Sequence, residues 1–251
     1  AINSIDWVTR ARLIDTSANQ LDRTTIVVNG NIEIHATAGD EALNAEAPED
    51  VLDQVNVSLL ATAASIGSAK GSQATAVAYS LAFNRMSGET KASIESANLQ
   101  AGSNHSGTGE VVVSANNYHF LTGDAGGVAR SRSTTSNGVG IGGSNAFNML
   151  GEQDSDDYII LASISDEANV ESESVEVLAN DYSKIIAVTI AGAVAQGLAL
   201  TESGSKNVIR RTIKSIIGDE EDPDGETIVT KAKLVDVHAQ DHSKIWSISG
   251  T

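Results

Sequence analysis

The amino-acid sequence predicts an all-β chain, a repetitive parallel β-helix or β-solenoid built from units of about 60–80 residues with loop excursions. Three observations carry this. One motif recurs along the chain, two further landmarks recur in step with it, and apolar residues within the repeats alternate with a period of two.

The motif is clearest in Val175-Glu176-Val177-Leu178-Ala179-Asn180-Asp181-Tyr182-Ser183-Lys184-Ile185. It returns as Val235-Asp236-Val237-His238-Ala239-Gln240-Asp241-His242-Ser243-Lys244-Ile245. An earlier copy reads Val111-Val112-Val113-Ser114-Ala115-Asn116-Asn117-Tyr118, and the weakest is Ile32-Glu33-Ile34-His35-Ala36. Copies starting near 32, 111, 175 and 235 are separated by 79, 64 and 60 residues. Ala82-Phe83-Asn84 returns as Ala146-Phe147-Asn148, again 64 residues on. Ala92-Ser93-Ile94 with Ala97-Asn98-Leu99 is echoed by Ala162-Ser163-Ile164 with Ala168-Asn169-Val170. Units this small cannot bury both faces of their own strands, so they must stack, and residues 1–251 read as one solenoid segment. A β-sandwich array is the rival, but its domains run nearer 100 residues.

Within the motif, Val111, Val113, Val175, Val177, Val235 and Val237 are expected to point inward, with Ser114, Glu176 and Asp236 outward. Alanine holds the fifth position of all four copies, so Ala115, Ala179 and Ala239 should stack where successive layers approach closely. The Asn or Asp that follows suits a turn. Between the motifs lie Ala/Gly-rich runs such as Ala74 to Asn84 and Ala187 to Ala195. In the first, Val77, Tyr79, Leu81 and Phe83 share one face and Ala76, Ala78 and Ala82 the other. The large face is expected to fill a core and the small one to lie under a close neighbour. A helix competes for these runs, but their β-branched residues and strict alternation favour strands. Gly39 to Asp53, Ala101 to Gly109, Arg130 to Ser144 and Gly218 to Glu226 read as corners or excursions.

Composition narrows the partners. Hydrophobic residues make up 41% of the chain but aromatics only 4%, which suits thin strands of small side chains. The formal charge of −17 repels nucleic acid and anionic membrane surfaces and invites divalent cations. No apolar run is long enough to span a membrane. The absence of cysteine leaves the compartment weakly constrained.

The runs Val175 to Ala195 and Ala82 to Leu99 resemble, in cadence, the repeat regions of giant bacterial surface adhesins of the filamentous-haemagglutinin type. That resemblance covers most of the chain from Ile32 onward. It implies a secreted, elongated β-solenoid at the bacterial cell surface, acting in adhesion, cell contact or filament building, with a carbohydrate or cell-surface receptor as partner. Unit lengths vary here, and the first copy is degenerate.

Asp222, Asp224 and Glu226, around the turn glycine Gly225, have the oxygen ligands a calcium ion needs, although neither EF-hand nor nonapeptide spacing is present. Asp154, Asp156 and Asp157 form a similar acidic turn. Of the five histidines, His35, His105, His119, His238 and His242, the first and fourth share a repeat position with Ser114 and Leu178, a poor place for an invariant ligand. A β-helix carbohydrate-active enzyme, of the polysaccharide lyase or epimerase type, is the rival function. It needs a groove of converging bases and acids, whereas adjacent Arg210 and Arg211 must face opposite ways on a strand. No catalytic residue or cofactor is therefore assigned. The fourth copy stops at Gly250-Thr251, where the third continues into an apolar run. The edge around Ile245, Trp246 and Ile248 is accordingly expected to be completed by head-to-tail self-association or by continuation of a longer chain.

Overall fold

Small and β-branched residues in alternation leave little to sustain a helix, and every regular element among the described residues is a strand. The structure, a computed structural model, describes residues 1–16, 23, 25–39, 58–102, 109–135, 137–151, 158–218 and 227–251. The strands fall into four stacked layers that follow one path. The first layer holds β1 (Ile2–Ile14), β2 (Thr25–Val28), β3 (Ile32–Gly39) and β4 (Leu59–Gly71). The second holds β5 (Thr75–Glu95), β6 (Asn98–Ala101), β7 (Glu110–Tyr118) and β8 (Phe120–Ser133). In the third, the counterpart of β5 is split into β9 (Val139–Leu150) and β10 (Tyr158–Ser165), followed by β11 (Asn169–Glu171), β12 (Ser174–Asp181) and β13 (Lys184–Val194). The fourth repeats the split with β14 (Leu198–Ile209) and β15 (Thr212–Ile217), then β16 (Ile228–Thr230), β17 (Leu234–Asp241) and β18 (Lys244–Gly250).

Equivalent strands pair in parallel from layer to layer, making one six-stranded and three four-stranded sheets. Sheet I contains β1, β5, β9, β10, β14 and β15; sheet II the short strands β2, β6, β11 and β16. Sheet III contains β3, β7, β12 and β17; sheet IV contains β4, β8, β13 and β18. The repeats in the sequence are the registers of these sheets. Ala36, Ala115, Ala179 and Ala239 form one column of sheet III, as the conserved spacing of the motif requires. Phe83 pairs with Phe147, Ile94 with Ile164, and Asn98 with Asn169.

Burial separates the layers by position. Val111, Val113, Val175 and Val177 are fully buried, as predicted. Val235 and Val237 lie on the same inward column but remain 48% and 40% exposed. They belong to the fourth layer, and nothing among the described residues covers it. Ser114 corrects another expectation: it stands on the outward column but is buried, because His35 Nδ1 sits 2.6 Å from its hydroxyl. Arg130 to Ser144, expected as an excursion, is mostly strand, with the corner confined to residues between β8 and β9.

The cross-section has two parts. A wide lobe enclosed by all four sheets holds the bulky core, including Ile94, Leu99, Leu121, Leu150, Tyr158, Ile164 and Ile185. Beyond it, sheets I and IV press directly together as a thin blade. Its interior is alanine: Ala61, Ala82, Ala125, Ala146 and Ala187 in one cluster, Ala76, Ala78 and Ala129 in the next. Ordinary sheets pack about 10 Å apart on large side chains. Here the backbones approach so closely that a Cβ on Gly142 would lie 2.0 Å from the Gly192 carbonyl oxygen. The expectation for Val77, Tyr79 and Leu81 is thereby overturned. They face solvent, with Val77 58% exposed, because only the small face of β5 fits inside the blade.

Candidate functional site

Where lobe meets blade, a polar seam crosses all four layers. Asn3, Asn84, Asn148 and Asn207 occupy one column of sheet I. Each amide donates to the carbonyl oxygen of the next: Asn3 to Asn84 at 3.1 Å, Asn84 to Asn148 at 2.8 Å, Asn148 to Asn207 at 2.8 Å. Spare protons of Asn3 and Asn84 reach sheet IV, at the Leu60 and Thr122 carbonyls. Room for the ladder comes from Gly123, where a Cβ would fall 2.6 Å from Asn148 Oδ1. Asn84 and Asn148 are fully buried. A parallel register repeats every side chain at the layer spacing of about 4.8 Å, so identical amides can satisfy one another indefinitely.

The second polar feature lies inside the lobe. Tyr158, at the start of β10, is fully buried and its hydroxyl lies 2.8 Å from Ser183 Oγ, with Asn117 Nδ2 donating to it as well. Asp181 accepts from the Ser183 amide at 3.0 Å and from its hydroxyl at 2.5 Å. Arg211 Nε stands 2.8 Å from Asp181 Oδ2, an ion pair whose angle falls short of a hydrogen bond. The same guanidinium pairs with Asp241 and donates to Ser243 Oγ at 2.7 Å. Burial pushes the Asp181 carboxyl up, and Arg211 and Ser183 oppose that shift. Burial, then the Asp181 charge, raises the Tyr158 phenol well above its usual range. Arg211 therefore bridges layers three and four through carboxylates in both. Arg210 is exposed, so the two arginines do face opposite ways.

His119 closes the lower side of this region. It is buried against Trp7, edge to face at 4.3 Å, and neither ring nitrogen has a partner among the described residues. Burial lowers its pKa from 6.5 to about 4. Its folded pKa lies below the unfolded one, so its contribution to stability is complete above pH 6.5 and is lost as pH falls toward 4. Glu95 acts in a lower window. Burial raises it, but hydrogen bonds from Arg12, Ser93 and Lys91 outweigh burial and hold it at about 2. Its contribution is present above 4.5 and disappears toward 2. Replacing His119 with phenylalanine is expected to stabilise the chain by about 1–2 kcal/mol at neutral pH, by removing an unpaired buried imidazole. It should also flatten the loss of stability between pH 6.5 and 4 while leaving the lower limb. Urea unfolding across pH checks this; an unchanged upper limb would refute the assignment to His119.

The remaining histidines are dispersed. Tyr118, Tyr182 and His242 form a stacked ring column, with centroids 4.9 and 4.7 Å apart and planes within 6°. His238 lies 2.9 Å from Asp236, and His35 lies 3.2 Å from Glu33, each pair on the outer face of sheet III. His238 sits within β17 and His242 beyond its end, so their spacing of four does not place them on one helical face. Asp222, Asp224 and Glu226, with Asp154, Asp156, Asp157 and His105, lie outside the described residues.

The seam and the Asp181–Arg211 bridge are the features that sequence reading missed. Asn84 and Asn148 were flagged by their shared Ala-Phe-Asn context, but Asn3 and Asn207 have unlike neighbours and only the strand register joins them. Arg211 had no local signal at all. It reaches Asp181 from another layer, 30 residues away in sequence. No protein-family model, curated protein or solved structure matches this chain.

Proposed function

We propose that the chain is a β-solenoid segment of an extracellular bacterial surface protein or surface filament, a structural or adhesive element rather than a catalyst. The observation that carries this reading is the continuity of side-chain columns through every layer. Alanine and asparagine columns run through all four layers and a ring column through three, and the titratable groups Tyr158, Asp181 and His119 are enclosed within the stack. Groups so enclosed are not presented to a solute. Outer positions instead offer a long acidic surface, on which Glu110 and Asp236 add to burial in raising the Glu176 carboxyl. Such a surface suits a carbohydrate or cell-surface receptor, and Asp222, Asp224 and Glu226 supply in the sequence the oxygen ligands of a calcium ion.

Antibody raised against the isolated chain is expected to label intact cells of the source bacterium. Labelling that appears only after lysis would reject the surface assignment.

A further inference from the structure

We infer that the outer face of sheet IV docks on a lipid surface that carries anionic headgroups. This face lies along the flank of the stack. Its outward residues are set by the pleat of β4, β8, β13 and β18, so a layer added above or below would lengthen the face without covering it.

Charge is segregated between the sheets. The strands of sheet III hold Glu33, Glu110, Glu176 and Asp236 on their outer face and contain neither lysine nor arginine. Those of sheet IV hold Lys70, Arg130, Arg132, Lys184 and Lys244 against a single carboxylate, Asp124. All six point outward, by the alternation of their strands and the register between them. The chain has 33 acidic and 16 basic residues, so its net charge of −17 is an average that this face does not share. Lys70, Arg130, Arg132 and Lys244 form no ion pair among the described residues.

The cations stand at the two ends of an apolar band. Lys184 and Lys244 follow Phe120 in one column; twelve residues along β8, Arg132 pairs with Lys70. Between these ends run Ile186, Val188, Ile190 and Val194 of β13, with Val128 on β8 and Trp246 on β18 beside them. The inner layers expose the band as fully as the outer ones: Val128 is 46% exposed in the second layer, Ile190 59% and Val194 60% in the third. Ten residues of strand and four layers give a flat face of about 33 Å by 19 Å, roughly 600 Å², as large as the largest apolar patch on an ordinary monomer.

Together the two kinds of group select the partner. A soluble polyanion would meet the cations and leave the band in water. A sugar needs matching donors and acceptors, which isoleucine and valine side chains lack. A second copy laid face to face would set cations on cations at both ends, whichever way it turned. A lipid surface meets both demands, with phosphate at the rims, acyl chains under the band and the Trp246 indole beside Lys244 at headgroup level. The strands keep their backbone bonds within the sheet, so only side chains enter the surface. Asp124 is the one group that opposes docking, and burial already raises its carboxyl.

Flotation of the full chain with vesicles tests this, using phosphatidylcholine alone or with about one-third phosphatidylglycerol in about 0.15 M salt. Binding to the mixed vesicles is expected to be at least about tenfold tighter. Arg130→Gln with Arg132→Gln should weaken it about thirtyfold, and Ile190→Asp at least about tenfold. Asp124→Asn should strengthen it about fivefold, a gain that misfolding cannot produce. Val77→Asp, on the outer face of sheet I, should leave it unchanged. Tryptophan emission should shift to the blue on binding, and Trp246→Phe should abolish the shift. No binding, equal binding to both vesicle types, or a loss from Val77→Asp equal to that from Ile190→Asp would overturn the inference. So would tight binding of soluble polyphosphate that Ile190→Asp leaves intact, which would make the partner a polyanion. Oligomers in sedimentation velocity that Ile190→Asp dissolves would overturn it too, since a second copy would then cover the face.

Discussion

Replacing Arg211 with methionine is expected to lower stability by about 3–5 kcal/mol, the range for removing one partner of a buried ion pair. Asp181 is fully buried, and among the described residues Arg211 is the charged group within ion-pair distance of its Oδ2. Without the guanidinium, the carboxylate must stay charged in an apolar lobe or take up a proton, and either route is costly. The same change frees Asp241 in the last layer, where the carboxylate is half exposed and loses little. A second variant separates charge from packing. Asp181→Asn combined with Arg211→Met removes both charges and should recover most of the loss. Urea denaturation with an unchanged m value reads the effect, and a single Arg211→Met variant within about 0.5 kcal/mol of the parent would show that the bridge does not hold the layers.

The second large effect is steric. Gly142→Ala adds one methyl group where a carbonyl oxygen stands 2.0 Å away, on a backbone that cannot rotate aside as a flexible side chain would. Sheets I and IV must separate locally, and the neighbouring alanine contacts loosen with them. A cost of about 2–4 kcal/mol is expected, toward the upper end for overpacking because backbone opposes backbone. The opposite face provides the control. Val77→Thr, one residue pair along the same sheet from Gly142, changes a side chain that faces water, and should stay within about 0.5 kcal/mol. Thermal unfolding of both variants decides between a blade closed by backbone contact and one closed by ordinary side-chain packing. Equal effects from the two substitutions would exclude the former.

How much of this was legible beforehand depends on the range of the interaction. Strand identity and layer register could be read directly, because a parallel stack repeats its environment and so repeats its residues. The column Ala36, Ala115, Ala179 and Ala239 is such a trace, as are Phe83 with Phe147 and Ile94 with Ile164. Period two also established that β5 has one large and one small face. It could not establish which face is inside. That depends on the distance to the facing sheet: in the lobe the gap admits Ile94 and Tyr158, in the blade it admits only alanine and glycine. Hydrophobicity alone favoured Val77, Tyr79 and Leu81 for the interior, and the tertiary packing reversed the choice.

The candidate site divides in the same way. Half of the asparagine seam carried a sequence signature, since Asn84 and Asn148 share their neighbours; the other half, Asn3 and Asn207, gains meaning only from the layers it is stacked on. Nothing near Arg211 in the chain announces Asp181, because the pair forms between layers and from different sheets. Sequence by itself determined the all-β character, the repeat and the order of columns, all of which follow from local alternation and from self-similarity between successive layers. Only the tertiary structure decided the inside of the blade, the burial of Ser114 and the exposure of Val235 and Val237. Those depend on what stands across a sheet or on the next layer, and alternation along one strand contains no information about either.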